Sequence, residues 1–211
     1  MWSRPPRKSA IAELRDRDLV RLYWPVELRP AFDALFDLDE AMGEVVAKAS
    51  EPALGAIKLA WWRERLEELD EGKLPAEPRL QAAANELLPR GLTGAGLAEL
   101  EDGWTALLDA EPEPERVSAR GAKLFGMASG LLGVADPKIE LAGRFYVVVK
   151  LGHRPPVPAE LERHRFSRPV RPLTALAALS ARDSRQVAHE AEATPGRAWT
   201  LFRHRWTGRI G

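Results

Sequence analysis

EPALGAIKLAWWRERLEEL, residues 51–69, is the stretch on which the reading of the whole chain turns. Ser50-Glu51-Pro52 opens it. A serine oxygen can accept a hydrogen bond from a free first-turn N–H, and proline is tolerated in a first helical turn. Asp70-Glu71-Gly72 closes it, with Gly72 available for a left-handed cap. At the helical spacing of roughly 100° per residue, Leu54, Ile57 and Trp61 form one apolar stripe, and Leu59, Trp62, Leu66 and Leu69 a second. A helix apolar on two sides is expected to lie between other helices. Lys58 and Arg65 fall near the gap between the stripes. A cation buried there needs a partner, because desolvating it alone is costly. That partner is either a carboxylate of a neighbouring helix or an anionic ligand.

The flanking sequence repeats the helical period. Residues 1–8 are expected as a disordered arm and 9–24 as the first helix, with Ile11, Leu14, Leu19, Leu22 and Tyr23 apolar and Pro25 as its stop. A second helix is expected over 28–49, its core stripe being Leu35, Leu38, Met42, Val45, Val46 and Ala49. Downstream the pattern gives a loop over 73–78, a short helix over 79–88 and another over 96–108. The Pro-Glu alternation over 111–115 reads as a rigid acidic connector. The helix expected over 116–133 is rich in small residues, among them Gly121, Gly126 and Gly130. Glycine lowers helix propensity, so either close helix–helix approach or room for a ligand has to explain them. Residues 138–151 contain Phe145-Tyr146-Val147-Val148-Val149, strand-like by propensity. Helices on both sides, and no second strand signal, make this a helix. A proline-rich break over 152–158 leads to a helical turn over 159–164, a helix over 173–182 extended over 185–192 after a kink, and a last helix over 195–205. The fold class is all-α, a single-domain helical bundle over 9–211.

With 211 residues, 45% hydrophobic and 29% charged, the composition is that of an ordinary globular chain able to bury one sizeable core. Formal net charge is zero, which gives no reason to expect nucleic acid. The distribution is uneven: from Gly152 onward there are 11 basic and 5 acidic side chains, and before it 20 and 26. A basic segment on an acidic body suggests internal docking or an anionic partner. The absence of cysteine removes disulfides and thiolate chemistry and fits a reducing compartment. No apolar run reaches the roughly 18 residues of a membrane span, and MWSRPPRKS has no apolar core behind it to make a secretory signal. A cytoplasmic location is expected, with peripheral membrane contact open. Seven tryptophans suit a wide core or an apolar cavity.

Signatures of hydrolases, Walker-type nucleotide binders, dinucleotide binders and HExxH metalloproteases are absent. His153, His164, His189 and His204 show no metal-ligand spacing and read as surface or structural residues. Asp33, Asp37, Glu40 and Glu44 share one face of the second helix. Such a stripe can hold Mg²⁺ bridging a diphosphate, since a hard cation needs several carboxylate oxygens. The stripe lies about 180° from the apolar one, which points it to water instead. Asp39 projects onto the edge of the apolar side, and a buried Asp39 paired with Lys58 or Arg65 is the preferred account of those cations. Trp61 and Trp62 are core plugs, or one of them lines a lipid cavity or faces a cation. Trp24 and Tyr23 carry the same ambiguity. Arg203, Arg205 and Arg209 interleave with Phe202, Trp206 and Ile210 as a docked amphipathic tail in preference to a membrane anchor.

Three segments together carry a family resemblance. LVRLYWPVELRPAFDALFDLDEAM, residues 19–42, resembles the opening of squalene and phytoene synthases, where an aromatic-rich helix, a proline and an Arg-x-Ala turn lead into the helix with the first aspartate motif. EPALGAIKLAWWRERL resembles the double-tryptophan segment of that family's bacterial and mitochondrial branches, and is the specific part of the match. Residues 121–133 sit where a small-residue helix carries the second aspartate motif. The resemblance implies an isoprenoid-synthase type of bundle, head-to-head joining of prenyl diphosphates, and Mg²⁺ on two Asp-rich helices. The sequence departs from it at both motifs. Met42, Gly43 and Val45 stand where the first is expected, with Glu44 the one acidic residue, and residues 121–133 contain no Asp or Glu. The chain is therefore similar to degenerate members such as the branch that acts in assembly of respiratory complex I.

The first expectation is a non-catalytic or reduced squalene/phytoene synthase-like protein that binds a prenyl lipid or a partner protein and needs no cofactor. The second is an active prenyl diphosphate transferase, using Mg²⁺ on Asp33, Asp37, Glu40 and Glu44 in an altered geometry. Lys58 and Arg65 would then grip phosphate, and Trp61, Trp62 and Tyr23 would complete the ligand site. The third is an interaction module that uses the basic C-terminal face.

Overall fold

The structure, a computed structural model, describes residues 15–186 and 190–211, and every regular element among them is helical. The arm expected over 1–8 and the start of the first helix lie outside the described residues. Eleven α-helices follow in order: α1 (Asp16–Arg21), α2 (Arg29–Lys48), α3 (Pro52–Glu67), α4 (Pro78–Glu86), α5 (Gly94–Ala98), α6 (Leu100–Thr105), α7 (Pro114–Leu131), α8 (Ile139–Lys150), α9 (Ala159–Arg163), α10 (Arg171–Arg185) and α11 (Pro195–Thr207). Proline stands in the first turn of α2, α3, α4, α7, α10 and α11, where its missing N–H costs nothing.

The long helices are read correctly from the sequence, and the differences have local causes. The expected helix over 96–108 is divided into α5, α6 and a 3-10 turn over 106–108, in a stretch weakened by Gly94, Gly96 and Gly103. Residue 185 ends α10, so the extension over 185–192 is not made by its first residues, and 187–189 lie outside the described residues. The Phe145–Val149 run is helical within α8, with Phe145, Val147 and Val149 buried. Ser50 does not cap α3: Glu51 precedes the helix and no side chain caps it. Gly72 does take the left-handed conformation, φ 78°, after the 3-10 turn that follows α3.

The core forms around α2, whose Ala31, Phe32, Leu35, Leu38 and Met42 are buried. Trp24 packs on Phe32 at a ring-centroid distance of 4.5 Å, and Phe32 on Phe36 at the same distance. Helices α3, α4, α6 and α7 pack on α2, and α10 packs on α8, α11 and α1. The organising stretch is placed differently from the expectation. Only its Leu59-Trp62-Leu66-Leu69 stripe is buried. Leu54, Ile57 and Trp61 are 47%, 67% and 42% exposed, so α3 lies on the outside of the bundle and not between helices.

Helices α7 and α8 approach each other closely. A Cβ built on Gly121 would sit 2.2 Å from the Gly143 carbonyl oxygen, and one on Gly143 would sit 2.0 Å from that of Gly121. Backbone touches backbone there, so close approach explains Gly121. Gly126 and Gly130 face open space. No described helix is long and apolar enough to cross a membrane.

Candidate functional site

A cavity of about 620 Å³ opens between α1, α2, α7, α8 and α10. Part of its wall is apolar: Phe36, Val147, Val149, Leu176 and Leu179. Much of the remainder is charged, and among the described residues every charge except Arg154 is matched in an ion pair. Asp39, on the inner edge of α2, accepts two hydrogen bonds from one Arg120 nitrogen at 2.6 and 2.7 Å, and a third from the Trp104 indole N–H at 2.9 Å. Arg120 also lies over the Trp104 ring, 3.7 Å from its centroid. Both members of this pair are buried, and the Arg120 Nε has no partner among the described residues. Gly43 makes room for Trp104, since a Cβ there would stand 2.7 Å from the indole ring.

A second network joins the two ends of the described chain. Arg197 on α11 donates to Asp16 on α1 at 2.8 and 2.9 Å and also to both oxygens of Asp183 on α10. Asp16 accepts in turn from the backbone N–H of Ala193. Burial works against the Arg197 charge, but the hydrogen bonds it donates to Asp183 and Asp16 outweigh it and hold its pKa above the ordinary guanidinium value. Lys150 donates to Glu192 at 2.8 Å. Burial alone would lower the lysine's pKa; Tyr146 and Glu192 more than offset that, and the net shift is upward. Glu190 is held down to about 2, first by its hydrogen bond from Arg182 and then by one from the Thr194 hydroxyl.

The candidate metal residues of α2 lie against α1. Arg21 donates to Asp33 at 2.6 and 2.8 Å, Arg17 pairs with Asp37, and Glu40 takes both Arg17 and Arg15. Asp33 and Asp37 are thus half-buried under an arginine stripe of matching i, i+4 spacing, where the angular argument pointed them to water. Glu44 pairs with Lys48 at 2.8 Å and with Arg79. Glu40 and Glu44 reach the cavity rim; Asp33 and Asp37 do not line it. Among the described residues no group of three or more His, Asp or Glu side chains is placed to hold a metal ion.

The preferred pairing of Asp39 with Lys58 or Arg65 is incorrect, because Arg120 and Trp104 occupy that carboxylate. Lys58 is exposed and has no ion pair among the described residues. Arg65 pairs with Glu68 at 2.9 Å and with Glu64 on its own helix segment. Trp62 is buried beneath Trp61, edge to face at 5.3 Å. None of these four residues lines the central cavity. Tyr23 lines a different one, under the guanidinium of Arg205 at 4.7 Å.

Sequence reasoning passed over Arg120, Asp16, Lys150, Asp183 and Arg197. Two of them carried a signal. Arg120 falls on the Val117-Leu124-Ala128 stripe of α7, and Arg197 on the Leu201-His204 stripe of α11. A charged residue on the buried face of a helix requires a buried counter-charge. No family model, no curated protein and no solved structure matches this chain.

Proposed function

We propose that the chain is a reduced, non-catalytic bundle of the squalene/phytoene synthase type that holds a prenyl lipid in its central cavity. The observation that carries this reading is the state of the cavity's carboxylates. Asp16, Asp39, Glu40, Glu44, Asp183, Glu190 and Glu192 are each bound by an arginine or lysine of the same chain. Mg²⁺ requires carboxylate oxygens free to coordinate it, and when bound it would compensate the charge of a departing diphosphate. Here a cation already occupies each carboxylate, so these residues do not fit that clamp. The cavity keeps an apolar wall of Phe36, Val147, Val149, Leu176 and Leu179, with a volume suited to a small ligand.

Incubation with farnesyl or geranylgeranyl diphosphate and Mg²⁺ is expected to release no diphosphate above the buffer control. A prenyl alcohol is expected to raise the melting temperature, and Ser180→Phe, which fills the cavity from α10, to abolish that rise. Diphosphate release by the parent protein would establish the transferase reading instead. An unchanged shift in Ser180→Phe would place the lipid elsewhere.

A further inference from the structure

A second cavity, about 520 Å³, lies where α10 and α11 meet the Tyr23 turn. Its polar lining is Arg168, Arg171, Arg205, His204 and Tyr23, with no carboxylate. Arg171 is only 7% exposed, and its donors go to backbone oxygens: Phe166 at 3.0 Å, Arg205 at 2.8 Å and Trp206 at 3.0 Å. The last two are carbonyls of the final turn of α11, so Arg171 is fixed in place by the negative end of that helix. Among the described residues Arg165, Arg168, Arg171, Arg203, Arg205 and Arg209 form no salt bridge, whereas the arginines lining the central cavity do, Arg154 excepted. Burial, then the neighbouring Arg165 and Arg168, draw Arg171 below the ordinary guanidinium range.

The outer face of α11 adds a second, independent observation. Trp199, Phe202 and Trp206, at i, i+3 and i+7, are 63%, 52% and 78% exposed. Trp199 and Phe202 are stacked at 5.5 Å. Leu201 and His204 take the inward face and Ile210 anchors the segment in the core, so the helix is held by one side and its aromatic side is left in solvent. Arg203 and Arg205 flank the aromatic row.

We infer that this face docks on an anionic phospholipid surface. A headgroup phosphate enters the arginine cavity at Arg168 and Arg205, above the fixed charge of Arg171, while Trp199, Phe202 and Trp206 enter the headgroup layer. The aromatic residues are of the type that partitions into the membrane interface, and surface arginines are drawn to anionic lipid. Charge complementarity selects the lipid class: a pocket with no carboxylate of its own favours an anionic headgroup. The inference is independent of what the central cavity binds.

The test is sedimentation of the whole chain with vesicles of phosphatidylcholine alone and of phosphatidylcholine with phosphatidylglycerol. Binding is expected only to the second, weakening as salt is raised. Arg168→Glu with Arg205→Glu is expected to weaken it tenfold or more, at about a factor of five per basic residue removed near a charged surface. Trp199→Ser with Trp206→Ser, both on the solvent side, is expected to reduce it as strongly while leaving the circular dichroism spectrum unchanged. A third variant, Leu54→Ser with Ile57→Ser on α3, is expected to bind as the parent does. Equal binding to neutral vesicles, or retention by the Arg168/Arg205 and Trp199/Trp206 variants alike, would overturn the inference. So would a thermal shift with inorganic phosphate that is lost in Arg168→Glu, in a protein that ignores both vesicles: the pocket would then serve a soluble phosphate. Failure to bind vesicles together with tight binding of an acidic polypeptide would overturn it in favour of a protein partner.

Discussion

The central and C-terminal cavities are of similar size, and both contain buried arginine, but they treat its charge in opposite ways. In the central cavity Arg120 meets Asp39, and Arg197 meets Asp16 and Asp183. The charges there are internally cancelled, and removing any partner exposes the other to a low-dielectric surrounding. At the C-terminal cavity Arg171 rests on carbonyl dipoles alone, with Arg168 and Arg205 adding like charge. The first arrangement is complete without a ligand. The second has a surplus that no carboxylate among the described residues neutralises. The contrast follows from which carboxylates reach each cavity: Asp16, Asp39 and Asp183 line the first, and none lines the second.

The largest expected effect breaks the central match. Asp39→Ala leaves the Arg120 charge buried and unpaired, and is expected to lower stability by about 3–5 kcal/mol in denaturant titration. Asp39→Leu combined with Arg120→Met removes both charges and is expected to regain most of that loss. A double variant less stable than either single one would mean that the pair itself, not the avoidance of a lone charge, holds the site together.

The next effect concerns His204, at the edge of the surplus. Its Nδ1–H donates to the Arg209 carbonyl oxygen at 2.9 Å, and its Nε2 lies 2.9 Å from the Thr174 hydroxyl. Burial, helped by Arg171 and Arg203, pushes its pKa down to about 4. The unfolded chain takes up this proton near pH 6.5, so the folded state is penalised as pH falls from there towards 4. The contribution is complete above pH 6.5, and about 3 kcal/mol is lost by pH 4. Melting temperatures of the parent and of His204→Gln across this interval check it. The two curves should converge at low pH, and parallel curves would exclude His204 as the source.

A smaller pair of effects tests the wall that positions Arg120. Gly121→Ala forces a methyl group against the Gly143 carbonyl and is expected to cost about 1–3 kcal/mol. Gly126→Ala, on the same helix but facing open space, is expected to stabilise by about 0.5–1 kcal/mol. The smallest effect reverses the sign found in the centre. Arg168→Ala removes a cation that repels Arg171 and is expected to leave stability unchanged or raise it by about 0.5 kcal/mol or less. A clear loss of stability would show that the surplus is compensated within the protein, and the contrast between the cavities would disappear.

Much of the architecture was legible because it is local. The apolar spacing of α2, the prolines at helix starts and the left-handed glycine after α3 depend on neighbours a few residues away. What was not legible depends on distance. Both stripes of α3 are equally apolar in the sequence, and nothing local says that one of them has no neighbour to bury it. Asp39 was rightly placed inside, but its partner sits 81 residues away and was sought on the adjacent helix. The aspartates of α2 have the letters of a metal motif; only the arrival of Arg17 and Arg21 on α1 shows them already engaged. Trp104 and Gly43 form a matched pair of bulk and absence that no periodicity reveals.

Asp16 and Arg197 are 181 residues apart, and α1, the six-residue helix that carries the aspartate, is too short to persist alone. Its persistence therefore rests on helices distant in sequence, on the acidic face of α2 through Arg17 and Arg21 and on α11 through Arg197. One flank of the central hollow is thus built only when both are in place. Amide exchange in α1 should report this dependence directly, quickening in Arg197→Ala.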